Sequence, residues 1–375
     1  MLLDGIRVIE AATFIAGPAA AMILGEFGAD VVKIESPDGD PFRQSVGAPG
    51  NPPTPFNYPF NMDNRHKRSV VLDLKQDGDR VRLYDMVGEA DVFITNSPLG
   101  TRARLGIRDE DLLPLNERLI YASVTAYGET GPEAARTGFD STALWARSGL
   151  MDMVRPAPDA PPARSLPGMG DHPTAMTLFA AVMMALYRRE RTGKGGAVST
   201  NLMANGLWWN AFQTSAILCG AEHKQRPARE DAANALHNLY RCRDGRWFHL
   251  VLLPEDRNWP KLIAALEKPE WLDDPRYQDR PARVANRHAL IADLDAVFAA
   301  RDWPDWREIL IRHAVSFGEV GTLADIPNDA QMRESGALIP CDDPETGASL
   351  ALAAPLFLKG EKRRKPKAGP LLGGG

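Results

Sequence analysis

Cysteine is scarce in this sequence, and long apolar runs are absent. The three cysteines, Cys219, Cys242 and Cys341, lie far apart and form neither a CxxC pair nor a Cys/His ligand pattern. That spacing excludes a disulfide framework and a zinc site, and it fits reduced thiols in the cytoplasm. No apolar stretch reaches the roughly 18 residues that a membrane-spanning helix needs. We therefore expect a soluble, cytoplasmic protein with no membrane partner and no bound metal.

Several motifs of nucleotide and hydrolase chemistry are also missing. No G-x-G-x-x-G follows the first predicted strand and no G-x-x-x-x-G-K-[ST] occurs, so a standard dinucleotide or nucleoside triphosphate site is not expected. The absence of a G-x-S-x-G turn disfavours a serine hydrolase. The net charge of −5 argues against general binding of nucleic acid. Any chemistry must therefore rest on other residues.

The first 130 or so residues alternate between short apolar strands and helices. Short buried strands separated by helices predict an α/β fold with a doubly wound, parallel, Rossmann-like sheet. Ligands of such sheets bind beyond the carboxyl ends of the strands. The predicted strands are 6–10, 31–34, 69–74, 91–95 and 119–124, and the predicted helices are 18–27, 78–89 and 109–116.

The length of the chain predicts two domains. Residues 1–221 are expected to form the main part of the large α/β domain. In 222–330, two strands around an Asp-Gly turn and several amphipathic helices predict a smaller α+β domain. The last segment, 331–375, carries predicted strands at 350–352 and 356–358. We expect this segment to return to the large domain.

One carboxylate stands between two glycines and a predicted helix over 174–189. Gly168 and Gly170 precede Asp171. Glycine lets a substrate approach the backbone closely, and a helix amino terminus holds a nearby carboxylate ionised. Such a carboxylate is suited to attack an activated acyl group. The structural alternative is an N-cap, which Asp commonly forms. Side chains adjacent in sequence rarely face the same point, so we expect His172 to be a loop residue.

Basic residues recur where the predicted strands begin or end. Each group alone is typical of a solvated surface, because Lys and Arg are mostly exposed. Their recurrence at successive strands favours a phosphate-bearing ligand, to which Arg and Lys form charge-assisted hydrogen bonds. The residues concerned are Arg65, Lys67, Arg68, Lys75, Arg102, Arg104 and Arg136.

Several stretches together resemble the class III coenzyme A transferases, the CaiB/BaiF-type enzymes that include formyl-CoA transferase. The resemblance spans nearly the whole chain, and the combination is specific although each piece alone is not. The matching stretches are 3–10, 16–18, 24–35, 64–65, 67–69, 72–75, Gly131-Pro132, Gly170-Asp171, 191–195, 243–246 and 370–373.

The resemblance implies a role for each matching residue. Asp171 would attack an acyl-CoA thioester, giving an aspartyl–acyl anhydride and CoA thiolate, and the acceptor carboxylic acid would exchange through an enzyme-bound CoA thioester. Gly168, Gly170 and Phe139 would form the oxyanion and acyl pocket, with glycine N–H groups stabilising the oxyanion. The resemblance also implies an interlocked homodimer. It implies no cofactor, because CoA itself is part of the substrate. Because CoA is rich in phosphate, we expect Lys75, Arg104 and Arg136 to hold its nucleotide end, with Asn96 near it and the turn at Ala16 and Gly17 lining the pantetheine path.

Two other functions stay open at this point. α-Methylacyl-CoA racemases share this fold but carry a histidine where this chain has Phe139, so the racemase acid/base pair is broken. A catalytically degenerate CoA-binding protein is the second alternative. Phe139-Asp140 resembles transferases of aryl or branched 2-hydroxyacyl groups, and the glycine-rich lid loop of formyl-CoA transferases has no counterpart between Ala221 and Asn238. The family's tail continues into a helix beyond the match at 370–373, so this chain fits a truncated C-terminus.

Overall fold

Six parallel strands form the central sheet of the protein. The computed structural model describes residues 1–48 and 51–374. The strands are β1 (Arg7–Ala11), β2 (Asp30–Glu35), β3 (Lys67–Val71), β4 (Val92–Thr95), β5 (Ile120–Thr125) and β6 (Gly196–Asn201). They lie in the order β3-β2-β1-β4-β5-β6. The prediction of a doubly wound parallel sheet is therefore confirmed. Strand β6 was not predicted, because Val198 is its only large apolar residue.

Helices cover both faces of this sheet, as a doubly wound fold requires. On one face, apolar side chains of α1 and α7 pack against β1, β4 and β5. On the other face, Leu83 and Val87 of α3 and Leu112 of α5 pack against Ile9, Phe93 and Tyr121. The helices are α1 (Ala16–Glu26), α2 (Tyr58–Asn64), α3 (Asp77–Gly88), α4 (Leu99–Leu105), α5 (Asp109–Leu112), α6 (Leu150–Met153), α7 (Asp171–Thr192), α8 (Leu202–Trp209) and α9 (Ala211–Leu218), with a π-helical segment at Asp140–Ala146.

The strand order reverses between β1 and β4. In open α/β sheets a ligand binds beyond the carboxyl ends of the strands at such a switch point. Here the turns after β1 and β4 are tied together: the Thr13 N–H donates to Asn96 Oδ1 at 3.0 Å, and Asn96 Nδ2 donates to the Thr13 carbonyl at 2.6 Å. The topology thus fixes where a ligand is expected and which two turns border it.

The chain divides into two compact units. Unit 1 comprises Met1–Asp152, Arg164–Glu222 and Asp329–Gly375, and unit 2 comprises Met153–Ala163 and His223–Asn328. The sequence analysis assigned 1–221 to one domain without interruption, whereas Met153–Ala163 cluster with unit 2.

Unit 2 is a small α+β structure with its own core. Its antiparallel sheet has the order β7-β8-β9, and its core is rich in aromatic side chains such as Phe248, Phe298 and Trp306. Its elements are β7 (His237–Arg241), β8 (Trp247–Val251), α10 (Glu255–Leu266), α11 (Arg280–Ala285), α12 (Arg287–Phe298), α13 (Trp303–Arg312) and β9 (Phe317–Glu319). The predicted pair of strands around an Asp-Gly turn is therefore confirmed.

The last segment of the chain packs within unit 1. It contains α14 (Ala330–Glu334) and an antiparallel pair, β10 (Leu338–Pro340) and β11 (Leu350–Leu352). The Arg364 guanidinium donates to the carbonyls of Gly28 and Ala29 at 2.8 and 2.9 Å, just beyond the end of α1. The strand predicted at 356–358 is wrong, because these residues have no strand partner.

Candidate active site

Asp171 is the first residue of α7, and its side chain is not an N-cap. The N-cap position is occupied by Gly170, which makes no side-chain capping bond. Within residues 1–48 and 51–374, no donor is hydrogen-bonded to the Asp171 carboxylate, and this side chain lines a cavity. The geometry therefore contradicts the alternative that Asp171 is only an N-cap of α7.

Gly170 is required by the close packing around Asp140. A Cβ atom on Gly170 would lie 2.8 Å from the Asp140 Cβ and 3.0 Å from Leu144 Cδ1, both too close. The Gly170 N–H donates to Asp140 Oδ2 at 3.1 Å. This N–H is therefore already engaged and does not fit the oxyanion role expected of it. Gly168 is buried and has a φ of +81°, which favours glycine, but neither glycine lines the cavity beside Asp171.

The environment of Asp171 opposes its ionisation. Burial is the largest cause, and repulsion from the Asp140 carboxylate adds to it, so the pKa of Asp171 rises to about 7. Attraction from His172 acts in the opposite direction. The helix amino terminus therefore does not keep the pKa of this carboxyl low, so the expectation that it holds Asp171 ionised is wrong. Desolvation outweighs the helix dipole, whose effect is typically below about 1 kcal/mol.

His172 and Asp63 form a pair that sequence reasoning missed. His172 lies in the first turn of α7 rather than in a loop, and its Nε2 is 2.9 Å from Oδ1 of Asp63. Asp63 belongs to α2 and is 2% exposed at its side chain. The two residues are 109 positions apart. No local sequence pattern could have linked them.

A cavity of about 270 Å³ opens in front of Asp171, and we call it the acyl cavity. Phe139 lies at this cavity and is 65% exposed, and its ring meets that of Phe14 edge to face at 6.2 Å. The wall is mostly apolar, because most of its other side chains carry no polar group. The lining residues that matter below are Phe14, Ile15, Ala16, Leu99, Val124 and Arg136.

A second cavity, of about 430 Å³, lies over the ends of β1, β2, β3 and β4, and we call it the anion cleft. Lys75, Asn96 and Arg104, three of the expected CoA-binding residues, line it. Thr13, Asn96 and Pro98 line both the acyl cavity and the anion cleft. The two cavities therefore share a border at the tied turns of the switch point.

Lys75 and Arg104 are the basic residues that line the anion cleft, which is also lined by the acidic residues Glu35, Asp38, Asp40 and Asp73. In the described part of the chain, neither forms a salt bridge, and Arg104 contacts only the Thr101 hydroxyl, at 3.5 Å. Arg136 lines the acyl cavity, but Glu133 pairs with it at 2.6 Å and the Tyr127 ring lies 5.0 Å below its guanidinium. Two cations that lack an anionic partner are typical of a site for an anionic ligand.

The remaining basic residues at strand ends serve the fold. Strand β3 begins at Lys67, so Arg65 and Lys67 lie at its amino end, away from the anion cleft. Buried carboxylates neutralise both, since Glu26 pairs with Arg65 at 2.7 Å and Glu10 with Lys67 at 2.6 Å. Arg68 forms an exposed pair with Asp30, and Arg102 is buried against Glu129. The inference that these four residues face a phosphate-bearing ligand is wrong.

The turn at the start of α1 also reaches the cavity. Ala16 lines the acyl cavity, and Gly17 packs so closely that a Cβ atom there would lie 2.7 Å from the Ala12 Cβ. Glycine at this position lets α1 start directly against the end of β1. The N–H groups of the first helical turn have no partner inside the helix.

A sequence profile for CoA-transferase family III matches residues 3–375. The chain belongs to this family. It is an enzyme of the class III CoA-transferases, which act on acyl-CoA and carboxylate substrates, as the resemblance implied.

Solved and characterised relatives cover almost all of this class III CoA-transferase. A CaiB/BaiF family protein from Brucella suis is 30% identical with a TM-score of 0.86, over 99% of this chain and 96% of the relative. The (R)-2-hydroxy-4-methylpentanoate CoA-transferase of Clostridioides difficile is 27% identical over 100% of this chain and 93% of that protein. The cinnamoyl-CoA:phenyllactate CoA-transferase of Clostridium sporogenes is 29% identical over 96% of this chain and 87% of that protein.

Among residues 1–48 and 51–374, no group of three or more His, Cys, Asp or Glu side chains is placed to hold a metal ion. In the same residues, no helix has the length and apolar character that crossing a membrane requires.

Proposed function

We propose that this class III CoA-transferase moves CoA from an acyl-CoA to a free carboxylic acid through an anhydride on Asp171. One observation carries the proposal: the acyl cavity, which contains Asp171, borders the anion cleft, which contains the unpaired Lys75 and Arg104. A CoA thioester has its reacting carbonyl at one end and its phosphates at the other. The two cavities offer a nucleophile and an anion site in that arrangement.

The first half-reaction forms the anhydride. A carboxylate oxygen of Asp171 attacks the thioester carbonyl carbon, the tetrahedral intermediate collapses, the C–S bond breaks, and CoA leaves as the thiolate. No proton is transferred in this step. Asp171 must be ionised to attack, and with its pKa near 7 about half of the molecules are ionised at neutral pH.

The oxyanion of that intermediate needs hydrogen-bond donors. We assign this role to the first-turn N–H groups of α1 at Ala16 and Gly17, because Ala16 lines the acyl cavity. The Gly170 N–H is bonded to Asp140. Asp140 then acts by fixing the turn that precedes Asp171.

The second half-reaction exchanges the acids. The CoA thiolate attacks the aspartyl carbonyl of the anhydride, which releases the donor acid and leaves CoA as a thioester on Asp171. The carboxylate of the acceptor acid attacks this thioester, giving a new anhydride and CoA thiolate. The thiolate then attacks the acyl carbonyl, and acyl-CoA and free Asp171 are formed. Each step breaks one acyl bond and forms one.

The nucleotide end of CoA is assigned to the anion cleft. Lys75 and Arg104 would bind phosphate, and Asn96 and the turn at Ala16-Gly17 would border the pantetheine arm, because Asn96 lines both cavities. Arg136 would be a weaker contact, since Glu133 already neutralises it. CoA is substrate here, and no further cofactor enters the mechanism.

The acyl group is proposed to be aryl or branched. Phe14, Ile15 and Phe139 give the acyl cavity an apolar wall that an extended or branched hydrocarbon can contact. Two relatives named above act on a branched 2-hydroxy acid and on aryl acids. The glycine-rich lid that the resemblance associates with formyl specificity has no counterpart in this chain.

A donor and acceptor panel tests the function. The protein is incubated with acyl-CoA thioesters and free acids, and new thioesters are detected by mass spectrometry. We expect transfer to aryl or branched acids, and its loss in Asp171→Ala with CoA binding retained. Substantial turnover by the alanine variant would contradict the role of Asp171. Solvent deuterium entering the α-carbon without any acceptor acid would indicate a racemase, and CoA binding without turnover a degenerate relative.

We further propose that the protein forms the interlocked homodimer that its family resemblance implies. Helices α7, α8 and α9 expose large apolar side chains in the single chain, and contiguous exposed apolar surface marks interaction sites. These residues include Met184, Tyr187, Trp208, Phe212 and Leu218, of which Phe212 is 84% exposed. An interlocked dimer should not dissociate on dilution. A folded monomer in sedimentation at nanomolar concentration would contradict it.

A reducing compartment, such as the cytoplasm, is also proposed. All three cysteines are free thiols, and Cys219 is exposed. Free exposed thiols persist where the redox environment is reducing. Localisation of the tagged protein by fractionation tests this, and an exported protein would contradict it.

A further inference from the structure

The burial and the hydrogen bond of the His172–Asp63 pair are typical of an ion pair rather than of a packing contact. Asp63 is 2% exposed at its side chain, whereas the His172 ring is half-exposed. Within residues 1–48 and 51–374, His172 is the only hydrogen-bond partner of the Asp63 side chain, at 2.9 Å. A buried carboxylate is tolerated when a positive or donor group neutralises it. Asp63 therefore favours the doubly protonated imidazolium of His172.

His172 follows Asp171 directly, and both its backbone and its ring are held by hydrogen bonds. Its backbone N–H donates to the Gly168 carbonyl at 3.1 Å, which fixes the turn before α7. Burial opposes its charge, but the hydrogen bond and attraction of Asp63, with Asp171 adding to them, outweigh burial and raise the pKa of His172 above 6.5. His172 does not line the acyl cavity. It therefore acts through Asp171 and not on the acyl group.

The other charged groups around Asp171 do not favour its ionisation. Asp140, from the π-helical segment, and Asp63, from α2, both repel a charge on Asp171. Across the acyl cavity, the loop before Phe139 contributes Arg136, which Glu133 neutralises at 2.6 Å. Among the residues that the structure describes, His172 is the one group whose attraction to Asp171 lowers the pKa of that carboxyl.

We propose that His172, held by the buried Asp63, is a positioning residue that places a positive charge beside Asp171 and so favours the carboxylate form of the nucleophile. This inference rests on the proposed function, because it takes Asp171 as the attacking group. Asp63 has two opposed effects on Asp171. It repels the carboxylate directly, and it keeps the imidazolium beside it. The net charge of the pair is close to zero, so the loss of one member alone has the larger effect.

The direct test measures the ionisation of Asp171 without any turnover. Carboxyl-¹³C aspartate is incorporated into the full-length protein, and the Asp171 signal is identified by its loss in Asp171→Asn. In His172→Gln, which keeps a donor for Asp63 but loses the charge, the midpoint of Asp171 should rise by about 1 unit. In His172→Gln/Asp63→Asn the midpoint should fall back toward the wild-type value, because the repelling carboxylate is also gone.

A second titration tests the pairing itself. With ¹³C-labelled histidine, the signal missing in His172→Gln identifies His172. Its midpoint should lie above 6.5 in the wild-type protein and fall in Asp63→Asn. The matched control is His288→Gln, because His288 is an exposed histidine of unit 2 that also faces an aspartate, Asp231, at 3.6 Å. That variant should leave the titration of Asp171 unchanged.

The activity readout separates this inference from the proposed function. For an active wild-type enzyme, the acid limb of the kcat/KM profile for acyl-CoA should move to higher pH in His172→Gln and return in the double variant. If the wild-type protein transfers no CoA, the proposed function fails. The titrations still show whether His172 affects the ionisation of Asp171. An unmoved Asp171 midpoint in His172→Gln, or a wild-type His172 that titrates below 6.5, overturns the inference.

Discussion

Two groups of buried charges in unit 1 differ in how their charges balance. The first, which we call the balanced cluster, has two cations and two carboxylates: Lys33 lies 2.7 Å from Glu10 and 2.9 Å from Asp40, and Lys67 lies 2.6 Å from Glu10. The second, the acidic cluster, has three carboxylates, Asp171, Asp140 and Asp63, and one imidazole, His172. The balanced cluster has one carboxylate for each cation, whereas the acidic cluster has three carboxylates for one imidazole.

The balanced cluster serves the fold near the site. Lys33 also donates to the Ala12 carbonyl at 2.9 Å, and Asp40 accepts from the Phe14 N–H at 3.2 Å. Phe14 has a φ of +62°, a conformation that costs a bulky residue energy and needs such support. The cluster therefore fixes the turn that lines the acyl cavity. Burial alone would lower the pKa of Lys33, but attraction from Glu10 and Asp40 outweighs it and raises that pKa.

The acidic cluster shows the opposite arrangement, in which repulsion is left uncompensated. Such an arrangement destabilises the fold and is retained where chemistry needs it. In the described part of the chain the Asp171 carboxylate accepts no hydrogen bond, and its pKa is raised. The comparison thus distinguishes the charges of the balanced cluster, which stabilise the turn at the acyl cavity, from the Asp171 carboxylate, which we propose as the reacting group.

The largest expected effect comes from unbalancing the balanced cluster. Lys33→Met leaves Asp40 without a cation and Glu10 with Lys67 alone, and breaking a buried pair in this way typically costs about 3–5 kcal/mol of the free energy of unfolding. Urea denaturation measures the loss. The matched control is Arg68→Met, because the Arg68–Asp30 pair is about half exposed at both side chains and should contribute below about 1 kcal/mol. Equal losses in both variants would contradict the comparison.

Neutralising Asp171 should increase the free energy of unfolding, whereas Lys33→Met should decrease it. In the folded state its pKa is about 7, above the ordinary 3.8, so ionisation works against folding as the pH rises from 3.8 through 7. Asp171→Asn should therefore raise the free energy of unfolding at pH 8, by about 2 kcal/mol after allowance for solvent access. At pH 4 the gain should nearly vanish. Denaturation at both pH values checks this, and a variant less stable than wild type at pH 8 would refute it.

The unpaired cations of the anion cleft should show a smaller effect on binding. Arg104→Ala should raise the KM for acyl-CoA about tenfold, the equivalent of one charge-assisted bond of about 1.5 kcal/mol, and leave the KM for the free acid nearly unchanged. Arg136→Ala is the paired counterpart, because Glu133 already neutralises it, and should raise the KM for acyl-CoA less. If both substrates respond equally to Arg104→Ala, the cleft does not bind CoA.

Much of the fold was predictable from local pattern, and the misses have physical reasons. Strands β1 to β5 are apolar and separated by helices, so periodicity indicated them. Strand β6 was missed because it is mostly small and polar, and its pairing with β5 supplies its stability. The strand at 356–358 was wrong because an apolar run, Leu356-Phe357-Leu358, does not form a strand without a partner, and Phe357 is 62% exposed.

The residues of the candidate site were likewise predictable only in part. Asp171, Asn96, Lys75 and Arg104 follow from their places at a helix start or a strand end, which sequence can indicate. Arg65 and Lys67 were misjudged because they lie at the amino end of β3, whereas ligands bind at the carboxyl ends, and because the buried carboxylates of Glu26 and Glu10 that neutralise them come from other elements. Asp63 gave no signal at all, because its partner His172 is 109 positions away and only the packing of α2 near the start of α7 brings them together.

The central claim is that the uncompensated carboxylate of the acidic cluster is the nucleophile. The most direct measurement is chemical trapping: the enzyme is turned over with an acyl-CoA and quenched with hydroxylamine, and its peptides are analysed by mass spectrometry. The account predicts a hydroxamate on the peptide that contains Asp171, absent without acyl-CoA and absent in Asp171→Asn. A hydroxamate or acyl adduct on any other residue, or an actively transferring enzyme that forms no adduct on Asp171, would contradict it.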